Sequence, residues 1–153
     1  MSFPVMEAAA LVGRLLICAL FLHEAYAKLT AYSAAVAYSE AFGVPGALLP
    51  IAIAVEVLGG LLILLGYFTR AAALVLAGFC VAAAILFHSK LGVRNELLHF
   101  EKDLAIAGGL LVLFANGGGA WALDAVGLLG LRRRESAVKA GTQAAPHLLT
   151  PGP

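Results

Sequence analysis

The sequence predicts an all-α protein, an integral membrane bundle of four transmembrane helices, and three observations lead to this prediction. Hydrophobic residues make up 62% of the 153 residues and charged residues 12%, and the mean hydropathy is +0.97. These values lie outside the range of soluble domains. Four apolar segments alternate with polar residues and helix breakers, and each is long enough to cross a hydrocarbon core about 30 Å thick.

The first segment runs from Ala8 to Ala27 and carries Arg14 near its start. Its end matches the small-residue pattern of a signal-peptide cleavage site, Ala25-Tyr26-Ala27. The residues before Arg14 include an acid and no base, whereas a signal peptide begins with positive charge. We therefore interpret the segment as a retained span.

The second and third segments run from Ala47 to Tyr67 and from Ala71 to Phe87. The second contains one acid, Glu56, and the third has no charged residue on any face. Small residues are frequent in both, which favours close approach of helix backbones in lipid. The fourth segment, Leu104 to Leu123, follows a predicted loop over 89–103.

The domain prediction is a four-span membrane domain over 1–131 and a basic, then disordered, tail over 132–153. The tail begins with Arg132, Arg133 and Arg134 and contains three prolines without apolar periodicity. An even number of spans places both termini on one side of the membrane. The arginine cluster predicts that this side is the cytoplasm.

The main candidate site is Glu56, because an acid near the middle of a span costs roughly 3 kcal/mol unless it is paired, protonated or hydrated. Arg14 is the predicted partner, since it would lie about 8 Å deep and Glu56 about 16 Å deep at about 1.5 Å per residue. Two interpretations stay open. The pair fixes helix register only, or it faces a ligand pocket.

Further charged residues are predicted near one end of the bundle, with Glu56 deeper, so that together they outline a polar funnel. At about 100° per residue, Glu24 and Lys28 share a face with Arg14, whereas His23 falls on the opposite face. The spacing of His99, Lys102 and Asp103 places them together where the fourth span begins. The set at this end is Glu24, Lys28, His88, Lys102 and Asp103. The alternative is a solvated rim of ordinary anchor residues.

Several site classes are not indicated. The three histidines of this region belong to different segments without a metal-ligand spacing, so no metal is predicted. Cys18 and Cys80 lie in separate apolar segments and are interpreted as packing residues. The net charge of +1 gives no basis for a nucleic-acid partner.

The chain resembles the DoxX family of small four-span bacterial and archaeal membrane proteins, over about Gly13 to Asp124. The matching motifs are GRLL with Arg14, FLHEAYAKL with Lys28, AFGVP, VEVLGGLLILLGYFTRAAAL with Glu56 and Arg70, and EKDLAIAGGLLVLF with Lys102. The C-terminal motif GGGAWALD, with Asp124, is similar to the family's motif GPG-x-x-SLD. The chain differs from the family pattern at two places. Ala25 and Tyr26 stand where a glycine is common, and Gly118 and Ala122 replace the proline and serine of the C-terminal motif.

The resemblance implies a location in the bacterial inner membrane and a link to quinone oxidoreductases, because some relatives look like subunits of such systems. The expected role is a non-catalytic or quinone-presenting component, with a quinone as its only cofactor and a peripheral redox enzyme, a second copy and the lipid bilayer as partners. Two alternatives stay open, a small proton-coupled transporter and a scaffold that holds a peripheral enzyme through Arg132 to Arg134.

Overall fold

A computed structural model describes residues 3–89 and 91–127, and this part of the chain is all-helical. The helices are α1 (Phe3–Thr30), α2 (Tyr32–Ala41), α3 (Leu49–Leu65), α4 (Thr69–Phe87) and α5 (Arg94–Asn116), with a 3-10 turn at Gly46–Leu48 before α3. Residues 123–127 are also helical. The predicted tail, 132–153, lies outside the described residues.

Three helical stretches in the described residues are long and apolar enough to cross a membrane. They are Pro4–Thr30, Gly46–Leu65 and Thr69–Phe87, and they coincide with the first three predicted segments. The membrane class and the all-α prediction are therefore supported for three spans.

The fourth predicted segment has different bounds, and the loop predicted over 89–103 is wrong. Helix α5 begins at Arg94, because strong helix formers follow Val93 and no glycine or proline interrupts them before Gly108. It ends at Asn116, where Gly117 adopts φ +80°. Every 18-residue window of α5 therefore includes Glu101, Lys102 and Asp103, so α5 is more polar than a typical span.

Helices α1 and α3 pack against each other and run antiparallel. Helix α4 packs against α5 on one side and against α3 on the other. Phe21 of α1, Ile63 of α3, Leu76 of α4 and Leu110 of α5 share one buried core. Gly60 permits the close contact of α1 and α3, since a Cβ there would lie 3.4 Å from the Cβ of Phe21. The structure thus has two ends, which we call the Arg14 end and the Lys28 end after these residues of α1.

Candidate functional site

The buried acid Glu56 pairs with Lys28. The Nζ of Lys28 donates to Oε1 of Glu56 at 2.8 Å and lies 3.4 Å from Oε2 of Glu24, one helical turn earlier. Glu56 is only 2% exposed, and its Oε2 atom has no hydrogen-bond partner among the described residues. We call Glu24, Lys28 and Glu56 the inner group.

The predicted pair of Arg14 and Glu56 is wrong, and the direction of the side chains explains the error. A Cα–Cβ bond tilts toward the N-terminus of its helix. On the antiparallel helices α1 and α3, Lys28 therefore leans toward the Arg14 end and Glu56 toward the Lys28 end, so these two side chains approach each other. Arg14 leans away from Glu56.

Arg14 instead lies beside the end of α3 and the segment after α5. It is 1% exposed, and its Nη2 and Nη1 atoms donate to the carbonyl oxygens of Trp121 at 3.0 Å and Leu64 at 3.4 Å. Glu7 and Asp124 lie within electrostatic range of the guanidinium. Arg14 therefore stabilises the Arg14 end of the fold and takes no part in the inner group.

Asp124 caps the N-terminus of α4 from a distant part of the chain. Its Oδ1 accepts from the backbone N–H of Phe68 at 2.9 Å and its Oδ2 from that of Thr69 at 2.8 Å. Burial raises the pKa of the Asp124 carboxyl, but the Thr69 side chain, the two N–H groups and the charge of Arg14 together lower it below its ordinary value. The carboxylate is thus stabilised in its ionised form.

Replacing Asp124 by alanine is expected to lower the free energy of unfolding by about 1–2 kcal/mol at neutral pH, the usual effect of losing a helix cap. Because the pKa of Asp124 is lowered by folding, its contribution is present above the unfolded pKa of about 3.9 and is lost as the pH falls through the folded value. Unfolding in detergent, measured between about pH 3 and pH 7, should show this loss in the natural chain and a smaller one in the variant. Equal pH dependence in the two chains would contradict the assignment, and Glu101→Gln, which removes an exposed acid, is the control.

A second polar group lies at the Lys28 end, where α4 ends and α5 begins. His88 Nδ1 lies 2.9 Å from Oε2 of Glu96, and the rings of His88 and His99 stack with centroids 5.0 Å apart. The Nζ of Lys102 lies 3.4 Å from Nδ1 of His99 and 4.0 Å from Oδ1 of Asp103. We call these five residues the outer group.

The inner and outer groups are neighbours. Asp103 lies within electrostatic range of Glu24, and the buried Cys80 lies within range of both Glu56 and Asp103. The structure therefore brings together six of the seven predicted site residues, namely Glu24, Lys28, Glu56, His88, Lys102 and Asp103, and separates Arg14 from them. His23 is exposed on α1.

Carboxylates outnumber the fixed cations in both groups. Among the described residues, Lys28 faces Glu24 and Glu56 in the inner group, and in the outer group Lys102 lies beside Asp103 while Glu96 pairs with His88. Uncompensated negative charge is costly away from water. The arrangement therefore favours the uptake of protons or the binding of a hydrogen-bond donor.

Sequence reasoning missed Glu96, which bonds to His88. The signal was present, because Glu96 and His99 are three residues apart and so share a face once α5 begins at Arg94. Placing residues 89–103 in a loop concealed that periodicity. Among the described residues, no group of three His, Cys, Asp or Glu side chains is arranged to hold a metal ion.

Comparison with known families decides the class of this protein. The family model DoxX matches residues 9–89, which include most of α1, all of α2 to α4 and Glu56. The chain belongs to the DoxX family. It is 43% identical over 118 residues to the inner membrane protein YqjF of Escherichia coli K12, covering 77% of this chain and 91% of that protein.

A second relative of this DoxX-family chain is the inner membrane protein YphA of Escherichia coli K12. It is 29% identical over 121 residues, which cover 74% of this chain and 86% of that protein. No solved structure gives a significant match. Family membership, the names of the two relatives and the three apolar helices together make this a membrane protein.

Proposed function

We propose that this DoxX-family protein binds the head group of a quinone at the inner group and presents it to a redox enzyme of the inner membrane. The observation that carries the proposal is the buried Oε2 atom of Glu56, to which no residue in the described part of the chain donates a hydrogen bond although Glu56 is only 2% exposed. A buried polar atom without a partner is unfavourable by about 1–3 kcal/mol. A bound hydrogen-bond donor would remove that cost.

The inner group offers the two hydrogen-bonding functions that a quinone and its quinol require. Lys28 is partly exposed, with 26% of its side chain accessible, and it can donate to a quinone carbonyl oxygen while keeping its contact with Glu56. The free oxygen of Glu56 can accept from a quinol hydroxyl. The same two side chains would thus hold both redox states of the ring.

The charge balance of the two groups also suits a quinone. A quinone becomes a quinol when it gains two electrons, which the partner enzyme would supply, and two protons. The inner group contains two carboxylates and one lysine, and the outer group contains two carboxylates and one lysine when its two histidines are neutral. Such a surrounding stabilises protons close to the ring.

We expect the full chain, purified in mild detergent, to retain a quinone that solvent extraction and mass spectrometry detect, and to bind an added short-tail quinone. Glu56→Gln should weaken that binding about tenfold or more, because a hydrogen bond to a charged group contributes about 1.5–3 kcal/mol. Glu101→Gln, which alters an exposed acid of α5, should bind as the natural chain does. Absence of binding in the natural chain, or equal affinity in Glu56→Gln, would refute the proposal.

A further inference from the structure

A second site lies at the Arg14 end, where α4 begins and α5 ends. A cavity of about 460 Å³ opens there, and its lining includes Phe68, Arg70, the glycine segment 117–119 and Asp124. This volume lies within the range of about 300–1,000 Å³ that is typical of ligand pockets. The cavity is distinct from the inner and outer groups, which lie at the Lys28 end.

Arg70 is the cation among the described residues that line this cavity. It is exposed, and neither a hydrogen bond nor an ion pair links its side chain to another described residue. Its guanidinium lies against Gly117, where a Cβ would be 3.6 Å from Nε and 3.9 Å from Nη2. Asp124 also lines the cavity but forms no ion pair with Arg70 in the structure, and its two carboxylate oxygens accept the backbone N–H groups of Phe68 and Thr69.

Exposed aromatic residues place this cavity at the level of the lipid head groups. Tyr67 and Phe68, just before α4, and Trp121, after α5, are each about half exposed. Tryptophan and tyrosine concentrate where a membrane meets water. Since the candidate span Thr69–Phe87 begins beside Arg70, its guanidinium lies where lipid phosphates lie.

We propose that this cavity binds the phosphate of an anionic phospholipid head group through Arg70. A guanidinium matches a phosphate with two parallel N–H···O bonds, and basic pockets between membrane helices are typical sites for lipid head groups. A phospholipid fits better than free phosphate because the cavity is far larger than the roughly 30 Å³ of one water molecule and is bordered by aromatic anchors. The site is independent of the proposed quinone site.

The test uses the full chain in mixed micelles that contain equal amounts of phosphatidylglycerol and phosphatidylcholine, with native mass spectrometry to count the retained lipids. We expect the natural chain to prefer phosphatidylglycerol about fivefold, because choline neutralises the phosphate of phosphatidylcholine, whereas the net negative charge of phosphatidylglycerol attracts Arg70. Arg70→Gln should remove the preference. Arg94→Gln, which alters an exposed arginine at the Lys28 end, should keep it.

Two further variants separate the possible sources of the effect. Replacing Arg132, Arg133 and Arg134 together by glutamine should keep the preference, because it arises at Arg70. Arg70→Lys should retain part of the preference, since lysine keeps the positive charge and loses the planar guanidinium group, and this variant decides the question if Arg70→Gln fails to fold.

An unchanged preference in both Arg70 variants would overturn the proposal. Arg70-dependent binding of inorganic phosphate in phosphatidylcholine micelles, without a preference for phosphatidylglycerol, would overturn the lipid assignment.

Discussion

Replacing Gly66 by alanine is expected to lower the free energy of unfolding by about 2–5 kcal/mol. Gly66 ends α3 at φ +67°, a left-handed conformation that costs a residue with a Cβ about 1–2 kcal/mol. The added methyl would also meet Nη1 of Arg14 and the Cβ of Ala122, and it would lie 2.7 Å from the Cα of Ala122. Overpacking of this kind typically costs a further 1–3 kcal/mol or so.

The clash at Gly66 is severe because the surrounding atoms have little freedom to move. Its carbonyl oxygen accepts from the N–H of Asp124 at 2.8 Å, and Asp124 in turn caps α4. Arg14 is fixed by the carbonyl oxygens of Leu64 and Trp121. A shift of any one of these groups therefore breaks hydrogen bonds of the others.

The matched control for this prediction is Gly78→Ala in the middle of α4. A Cβ at Gly78 would meet nothing within 4 Å, and alanine is about 1 kcal/mol better than glycine inside a helix. Unfolding by a strong detergent in mixed micelles, followed by the helical circular dichroism signal, should show a large loss for Gly66→Ala and none for Gly78→Ala. Equal stability of the two variants would mean that Gly66 is not held as the structure describes.

The three membrane helices could be predicted because hydropathy is a local property of the sequence. The position of the charged residues at one end could also be predicted, because successive membrane helices alternate in direction. Chain order alone therefore places Glu24, Lys28 and the residues around Lys102 at the same end. The start of α5 was missed because Ser89, Gly92 and several charged residues suggested a loop, although the helix continues through the charged part.

The partner of Glu56 could not be predicted, because it depends on the axial offset between two helices. The prediction began the first span near Ala8, whereas α1 begins at Phe3 and Arg14 lies level with Leu64 at the end of α3. Glu56 is eight residues before Leu64, about 12 Å along the helix at about 1.5 Å per residue. That distance exceeds the reach of Arg14 and leaves Lys28 as the partner.

The cap on α4 was equally inaccessible to local reasoning. Phe68 precedes α4 and has a positive φ of 48° and no capping side chain of its own. The carboxylate that satisfies the first N–H groups comes from Asp124, 55 residues later than Thr69. Asp124 was noticed in the sequence only because the motif GGGAWALD resembles a family motif, and that resemblance did not indicate a capping role.

Replacing Lys28 by methionine is expected to lower the free energy of unfolding by about 3–5 kcal/mol, because it leaves the buried carboxylate of Glu56 without its cation. Glu56→Leu should cost less. The two partners are unequally buried, since 26% of the Lys28 side chain is exposed and only 3% of that of Glu56. Without Glu56, Lys28 keeps Glu24 at 3.4 Å and has access to water. Without Lys28, Glu56 has neither.

The double variant Lys28→Met with Glu56→Leu distinguishes two causes of the expected loss in Lys28→Met: an unpaired buried charge on Glu56, or the loss of the contact itself. A buried ion pair can often be replaced by apolar residues of similar size without loss of stability, so the double variant should be more stable than Lys28→Met alone. The same unfolding measurement gives the coupling energy, and Glu24→Gln, which breaks a half-exposed pair, should change stability by about 1 kcal/mol or less. Additive losses in the double variant would contradict direct pairing of Lys28 with Glu56. If the double variant is stable but no longer binds a quinone, the pair serves the ligand and not the fold, because apolar packing then suffices to hold α1 against α3.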